Sequence, residues 1–115
     1  MKLINIKPEH RPHIGVRREI KLKDTPLKKS TALQISELRP DRKEPYHTNS
    51  QGYVLCFVVT GWMEVHCDGT DYKLEEGQGI IFNPGERHRI NKGEGWMVSL
   101  SSIDYHDLET TWEEK

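Results

Sequence analysis

Residues Gly77–His88 read Gly-Gln-Gly-Ile-Ile-Phe-Asn-Pro-Gly-Glu-Arg-His. A turn at Glu75–Gly79 and a second at Asn83-Pro84-Gly85 bracket a short apolar strand, Ile80–Phe82. Pro presets φ at the second position of that second turn, and Gly accepts the positive φ of the third, which predicts type II geometry. The chain then extends again through Arg87–Asn91 and Trp96–Leu100. Upstream, Trp62–Cys67 alternates Met63, Val65 and Cys67 on one face with Trp62, Glu64 and His66 on the other, the period of a strand. Asp68-Gly69 is a strong hairpin signal, and Thr70–Leu74 returns.

Further upstream, Tyr53–Thr60 is apolar on both faces. That predicts a central strand, or a strand with one face against another subunit; Gly61 is expected to end it. Thr31–Leu38 alternates as a half-buried strand does. Residues 1–29 are broken by Pro8, Pro12, Gly15 and Pro26, with one or two short strands expected, such as Gly15–Leu22. Arg39–Pro45 reads as a turn-rich loop, and the acidic tail after Ser101 is expected to fray. Short strands at roughly 8–12-residue spacing, divided by Gly and Pro turns, indicate a β-sandwich or barrel.

Composition agrees. The chain has 115 residues, enough for one domain. It holds one alanine but 31 residues of the types Val, Ile, Thr, Tyr, Phe and Trp, which favours strands over a helical bundle. The net charge of −1 conceals a split. Residues 1–45 carry twelve Lys/Arg and six Asp/Glu, and residues 46–115 carry five and twelve. The basic half interleaves its charges with apolar residues and acids and has no aromatic before Tyr46, so it reads as a solvated face rather than a nucleic-acid surface. The longest apolar run, Tyr53–Val59, is seven residues, whereas a membrane-spanning helix needs about 20. The start lacks the apolar tract of a signal peptide. Two cysteines, Cys56 and Cys67, make no disulfide framework. A cytoplasmic location with reduced thiols is expected.

Residues 30–100 resemble the cupin family of small β-barrels. Gly77, Gly85 and His88 fall at that family's spacing, Asn83 stands where its Pro usually lies, and Asn91 follows His88 by three. In the other family motif, His-x-His with a Glu four residues on, His47 matches the first His, Asn49 stands at the second and Tyr53 at the Glu, with Gly61 closing the strand. The stretch from Gly61 to Gly77 matches the hairpin between the motifs. The chain is also similar to the cupin-like sensor domain of arabinose-type transcription regulators. The resemblance implies an all-β fold, a cupin-type β-barrel or double-stranded jelly roll. It implies one domain over residues 1–115, with an N-terminal extension over 1–29, the barrel over about 30–100 and a short tail over 101–115.

The resemblance also implies a site. On one unbroken strand His47, Asn49 and Tyr53 have equal parity and share a face, and the Pro84-Gly85 turn returns His88 to the same barrel mouth. These four residues are the expected ligand-binding set, with Leu55, Phe57 and Ile81 as the apolar wall. In the family the four positions hold a divalent transition metal. Here only His47 and His88 are strong metal ligands, since an amide oxygen is a weak neutral donor and Tyr ligates well only as phenolate, with a pKa near about 10. The expectation is therefore a metal-poor cupin, with no obligatory cofactor, binding a small polar molecule, sugar-like or a carboxylate. Two enzymatic alternatives stand beside it. One is a metal-dependent dioxygenase or isomerase that uses His47 and His88. The other is a metal-free acid–base enzyme with a His as base and Tyr53 as acid. A third alternative is a non-catalytic interaction module. Arg87 and Arg89 flank His88 as candidates for an anionic ligand. His66, His10 and His13 read as surface residues, and Cys56 and Cys67 as small core residues. A homodimer is expected, through the Tyr53–Thr60 strand or the Ile4–Leu22 segment.

Overall fold

The computed structural model describes residues 6–12, 14–20, 32–103 and 107–113. Within them the chain forms nine strands: β1 (Glu9–Arg11), β2 (Gly15–Ile20), β3 (Ala32–Leu38), β4 (His47–Asn49), β5 (Val54–Cys67), β6 (Thr70–Glu75), β7 (Gly79–Phe82), β8 (Arg87–Ser101) and β9 (Thr110–Trp112). The expected strand positions at Lys21, Leu22 and Thr31, the Ile4 end of the expected interface, and the histidines His13 and His106 lie outside the described residues.

Two long antiparallel strands, β5 and β8, carry the architecture. They pair from Val54↔Ser101 to Cys67↔His88. Their first contact zone is extended on one side by β7, at Val54↔Phe82 to Phe57↔Gly79, and on the other by β3, β2 and β1 in order. Their second zone is extended by β6, at Trp62↔Glu75 to Cys67↔Thr70, and by β4 and then β9. All pairings are antiparallel. The result is a two-sheeted β-barrel of jelly-roll type, in which β5 and β8 pass through both sheets.

The passage from one sheet to the other corrects one expectation. Gly61 does not end a strand; it turns the corner inside β5. The register slips between Val58 and Thr60, and Gly61 lies opposite Gly95. Both have positive φ, 83° and 100°. A Cβ on Gly61 would sit 1.8 Å from the Glu94 carbonyl oxygen, and one on Gly95 2.1 Å from that of Thr60. Only glycine lets the two strands approach so closely while they bend.

The two short turns behave as read. Asp68 and Gly69 take φ of 47° and 80°, the two left-handed positions of a type I′ hairpin. Gly85 has φ 84°, and the Glu86 N–H donates to the Asn83 carbonyl at 3.2 Å, closing the type II turn. The Gly85 N–H donates to the Asn49 carbonyl at 2.8 Å, which ties this turn to β4. The described part of the tail joins the sheet. β9 pairs with β4 at His47↔Trp112, Thr48↔Thr111 and Asn49↔Thr110, and Leu108 is buried in the core.

The core holds Leu38, Val54, Cys56, Val58, Met63, Val65, Phe82, Ile90, Met97 and Leu108. Along β5 the inward residues are Val54, Cys56 and Val58 before the corner, and Met63 and Val65 after it. Leu55, Phe57 and Val59 therefore face outward. They lie in cross-strand rows of apolar side chains: Leu33–Leu100–Leu55–Ile81, and Ile35–Val98–Phe57. The inner face of the same sheet is the more polar one. Its rows include Glu19–Gln34–Ser99–Cys56 and Arg17–Ser36–Met97–Val58. This inversion of the usual pattern sets up both an interior cavity and an exterior surface.

Candidate ligand-binding site

A cavity of about 830 Å³ opens at one end of the barrel. His47, Asn49 and His88 line it, together with Val54, Cys56, Ile90, Met97, Ser99, Leu108, Thr110 and Trp112. His47 and His88 are direct partners across the β4–β8 pair, with ring centroids 4.3 Å apart at a steep angle. Each is built into a longer row. His88 stacks on Phe82 at 3.8 Å, and His47 packs against Trp112 at 4.2 Å. Four rings from β7, β8, β4 and β9 thus form one aromatic ladder.

Both imidazoles are oriented by acceptors at Nδ1. His88 Nδ1 lies 2.9 Å from the Glu86 carbonyl, and His47 Nδ1 lies 3.2 Å from the Pro45 carbonyl. A carbonyl only accepts, so each Nδ1 carries the proton, and each Nε2 holds a lone pair. Burial, with help from neighbouring His47, pushes His88 down to about 4. It is neutral near pH 7 and can accept a proton or a hydrogen bond at Nε2.

Tyr53 does not join the site. It is 52% exposed and outside the cavity. The parity argument fails because β4 ends at Asn49 and β5 starts at Val54, with Gly52 at φ 73° between them. That turn resets which residues point inward. The expected wall is displaced for the same reason. Leu55, Phe57 and Ile81 face out, Ile81 at 59% exposure, and Val54, Cys56, Ile90, Met97 and Leu108 take their place. Arg87 and Arg89 lie outside as well. Their guanidinium carbons stand 3.6 and 4.4 Å from the Tyr46 ring centre, and Arg87 makes a bidentate pair with Glu113. Asn91 faces away from the mouth and donates to Glu64. His66 is on the outer face, as expected, but is held between Glu64 and Asp71. His10 is exposed.

Two residues of the Arg39–Pro45 loop belong to the site although a charged loop normally reads as solvated. Arg42 and Glu44 are buried, 4% and 5% exposed, and line the cavity. Arg42 Nη2 donates to Glu44 Oε2 at 2.7 Å, and Nη1 donates to the Glu37 carbonyl at 3.0 Å. Glu44 Oε1 accepts from the Ile90 N–H at 3.3 Å and lies 3.5 Å from His47 Nδ1. Burial pushes the Glu44 carboxyl up, but Arg42, His47 and the Ile90 N–H together outweigh it and hold the carboxyl below its ordinary value. Glu44 is therefore an anion 3.5 Å from Nδ1 of His47.

The remaining polar groups complete the lining. Asn49 Oδ1 accepts from Thr110 Oγ1 at 2.6 Å. Cys56 Sγ lies 3.5 Å from Ser99 Oγ. Burial pushes the Cys56 thiol up to about 12, so it is no ready nucleophile. Cys56 and Cys67 are both free.

The donor set does not fit the three imidazoles and one carboxylate of a cupin metal centre. The mouth offers two Nε2 atoms. The amide oxygen of Asn49 is engaged, Tyr53 is outside, and both oxygens of Glu44 face other partners. Elsewhere, Cys67, Asp68 and Glu86 bring possible ligand atoms within 4.8 Å of one another at the β5–β6 hairpin. Burial, Glu86 and Asp68 push the Cys67 thiol up to about 11, which opposes the thiolate a metal would need.

A double-sheeted antiparallel barrel with two opposed histidines at its mouth defines a class of small β-barrel proteins. The chain belongs to the cupin family: the family profile described as a cupin domain matches residues 34–103. A search of curated proteins returned no match. Among solved structures, a variant of Streptomyces PAC13 with uridine superposes with a TM-score of 0.79 at 11% identity, covering 99% of this chain and 93% of that one. Pac13 is described as a nucleoside dehydratase. A double-stranded β-helix protein from Klebsiella pneumoniae gives 0.62 at 20% identity over 76% of this chain and 77% of its own. An oxalate decarboxylase variant from B. subtilis gives 0.73 at 15% identity, covering 95% of this chain and 30% of that one. At these identities the likeness is one of fold. No helix among the described residues is long and apolar enough to cross a membrane.

Proposed function

We propose that this cupin binds a small polar molecule, sugar-like or a carboxylate, in the barrel mouth, without a resident metal. The observation that carries the reading is the opposition of His47 and His88 in a cavity of about 830 Å³, with an unengaged Nε2 on each ring. Asn49, Ser99 and Thr110 supply further polar contacts, and Val54, Ile90, Met97 and Leu108 the apolar wall. If the bound molecule reacts, the chemistry this lining supports is acid–base. His47, backed by anionic Glu44, is the base, and neutral His88 is the second proton-handling group. The test is native mass spectrometry of freshly purified protein with elemental analysis of the same sample. A co-purifying organic molecule, lost in His88→Gln, supports the reading. Near one equivalent of a divalent transition metal per chain overturns it in favour of a metal-dependent dioxygenase or isomerase.

The partner of the outer sheet face is a second copy of the chain, in the cytoplasm. The apolar rows cross four strands, β3, β8, β5 and β7, a width of about 20 Å at the usual spacing of about 4.8 Å. An apolar patch of this kind pairs with its own copy about a two-fold axis, and two sheets pack face to face at about 10 Å. Light scattering at micromolar concentration checks this. A dimer that Phe57→Asp converts to monomer is expected, and a wild-type monomer excludes it.

A further inference from the structure

The aromatic ladder at the mouth has one closed end and one open end. Phe82 begins it and is 2% exposed. His88 and His47 follow. Trp112 ends it, and it is 49% exposed although it lines the cavity. Topology explains the difference. Among the described residues β9 is the last strand on its side of the sheet, next to β4. His47 packs against the indole at 4.2 Å, and no further strand stands beyond it. Trp112 therefore keeps an apolar ring surface uncovered at the cavity opening, the usual place for a residue with one apolar and one wet side.

The polar groups beside the indole are neutral. Nε2 of His47 and of His88 each bears a lone pair. Neither has a partner among the described residues, and neither is sealed from solvent. Asn49 gives its Oδ1 to Thr110, which leaves the amide N–H as a donor. Two acceptors and a donor side by side suit hydroxyl groups, which both give and accept hydrogen bonds. A carboxylate matches less well, because it only accepts and would face two lone pairs. The arginines of the lining already have their anions. Arg11 and Arg17 lie against Glu9, Arg17 also against Glu19, and Arg42 against Glu44. Lys7 stands at the exposed rim.

Resting on the small-molecule reading above, we infer that the ligand is a neutral carbohydrate in its ring form, seated with one C–H face of the ring on the Trp112 indole. Its hydroxyls meet Nε2 of His47 and His88 and the amide of Asn49. The C–H bonds on one face of a pyranose form an apolar patch with slight positive charge, and the face of an aromatic ring is negative. An open-chain polyol carries the same kind of hydroxyls but has no such face, and it loses more conformational freedom on binding. Trp112 is thus the residue that selects ring over open chain.

Titration calorimetry tests this on wild type, Trp112→Phe and Trp112→Leu. The probes are the methyl β-pyranosides of glucose, galactose, mannose and xylose, the matching open-chain alditols, and D-gluconate. The best glycoside is expected to bind at least about tenfold tighter than its alditol and than gluconate. Trp112→Leu is expected to bring glycoside and alditol within about threefold of each other, and Trp112→Phe to keep most of the preference. If the leucine variant does not fold, tryptophan fluorescence carries the test. The glycoside is expected to change the emission of wild type, and not that of Trp112→Phe, which still binds it. Equal affinity for ring and open chain in wild type, a preference that survives Trp112→Leu, or an emission change that persists in Trp112→Phe overturns the role of Trp112 and leaves the small-molecule reading standing. Tighter binding of gluconate overturns the neutral-sugar class in favour of a carboxylate. Binding of no glycoside by folded protein overturns the carbohydrate class. If native mass spectrometry also finds no bound molecule, the underlying reading falls with it.

Discussion

His47 stands directly opposite His88 across two antiparallel strands, with the ring of Trp112 on one side of the pair and that of Phe82 on the other. The two imidazoles lie 41 residues apart in the chain. Their meeting depends on β4, a strand of three residues.

Acid should destabilise the protein in two stages. His88 is held down to about 4 in the fold, against about 6.5 in the unfolded chain. Between those values the unfolded chain binds the extra proton, so stability falls as pH drops from about 6.5 to about 4, by at most about 3 kcal/mol. Glu44, whose carboxyl is lowered in the fold, acts in the same direction, with loss setting in below about 4.5. Thermal melts across this range check both. His88→Gln should flatten the upper stage and leave the lower one.

Removing the charge of Glu44 should cost far more than a surface change. Glu44→Gln leaves the Arg42 guanidinium buried without its anion, a loss of about 3–5 kcal/mol. The double variant with Arg42→Met should recover much of this, because no isolated charge then remains. Urea denaturation of the three variants measures the coupling.

Metal affinity should respond to one family position and not to another. Asn49 lines the cavity two residues from His47, so Asn49→His adds a third imidazole and should tighten Zn(II) or Ni(II) binding by at least about tenfold. Tyr53→Glu should change nothing, because Tyr53 lies outside the barrel. Calorimetric metal titrations of both variants decide it. An unchanged Asn49→His would mean the two strands do not present converging ligands.

Two glycines with nearly equal φ should differ sharply. Gly69→Ala meets nothing within 4 Å, so it bears only the left-handed strain of about 1–2 kcal/mol. Gly61→Ala adds a collision with the Glu94 carbonyl and should cost at least about 3 kcal/mol or prevent folding. Melting temperatures separate them.

Most of the barrel was legible in the chain because its signals are local. The Asp68-Gly69 and Pro84-Gly85 turns and the alternation in Trp62–Cys67 require only neighbouring residues. So did His47 and His88, each beside a recognisable turn or strand. The direction of Tyr53 was not legible, since parity carries across a strand but not across the turn at Gly52. Arg42 and Glu44 were hidden for a different reason. Their burial depends on Ser36, Glu37 and Ile90 from other strands, and nothing within Arg39–Pro45 announces it. The tail misled in the same way, because the strand partner of β9 is β4, about sixty residues earlier.

That last dependence sets an order of events during synthesis. β4 lies between β8 and β9, and both of its partners follow it in the chain. His47 therefore leaves the ribosome long before anything exists to hold it. The β5–β6 and β5–β7 pairings can close while the chain is still growing, but the mouth is finished only when Trp112 arrives. Closing so long a loop is slow compared with forming a hairpin, so the strand that carries His47 is expected to find its partners after the β5–β6 hairpin has formed.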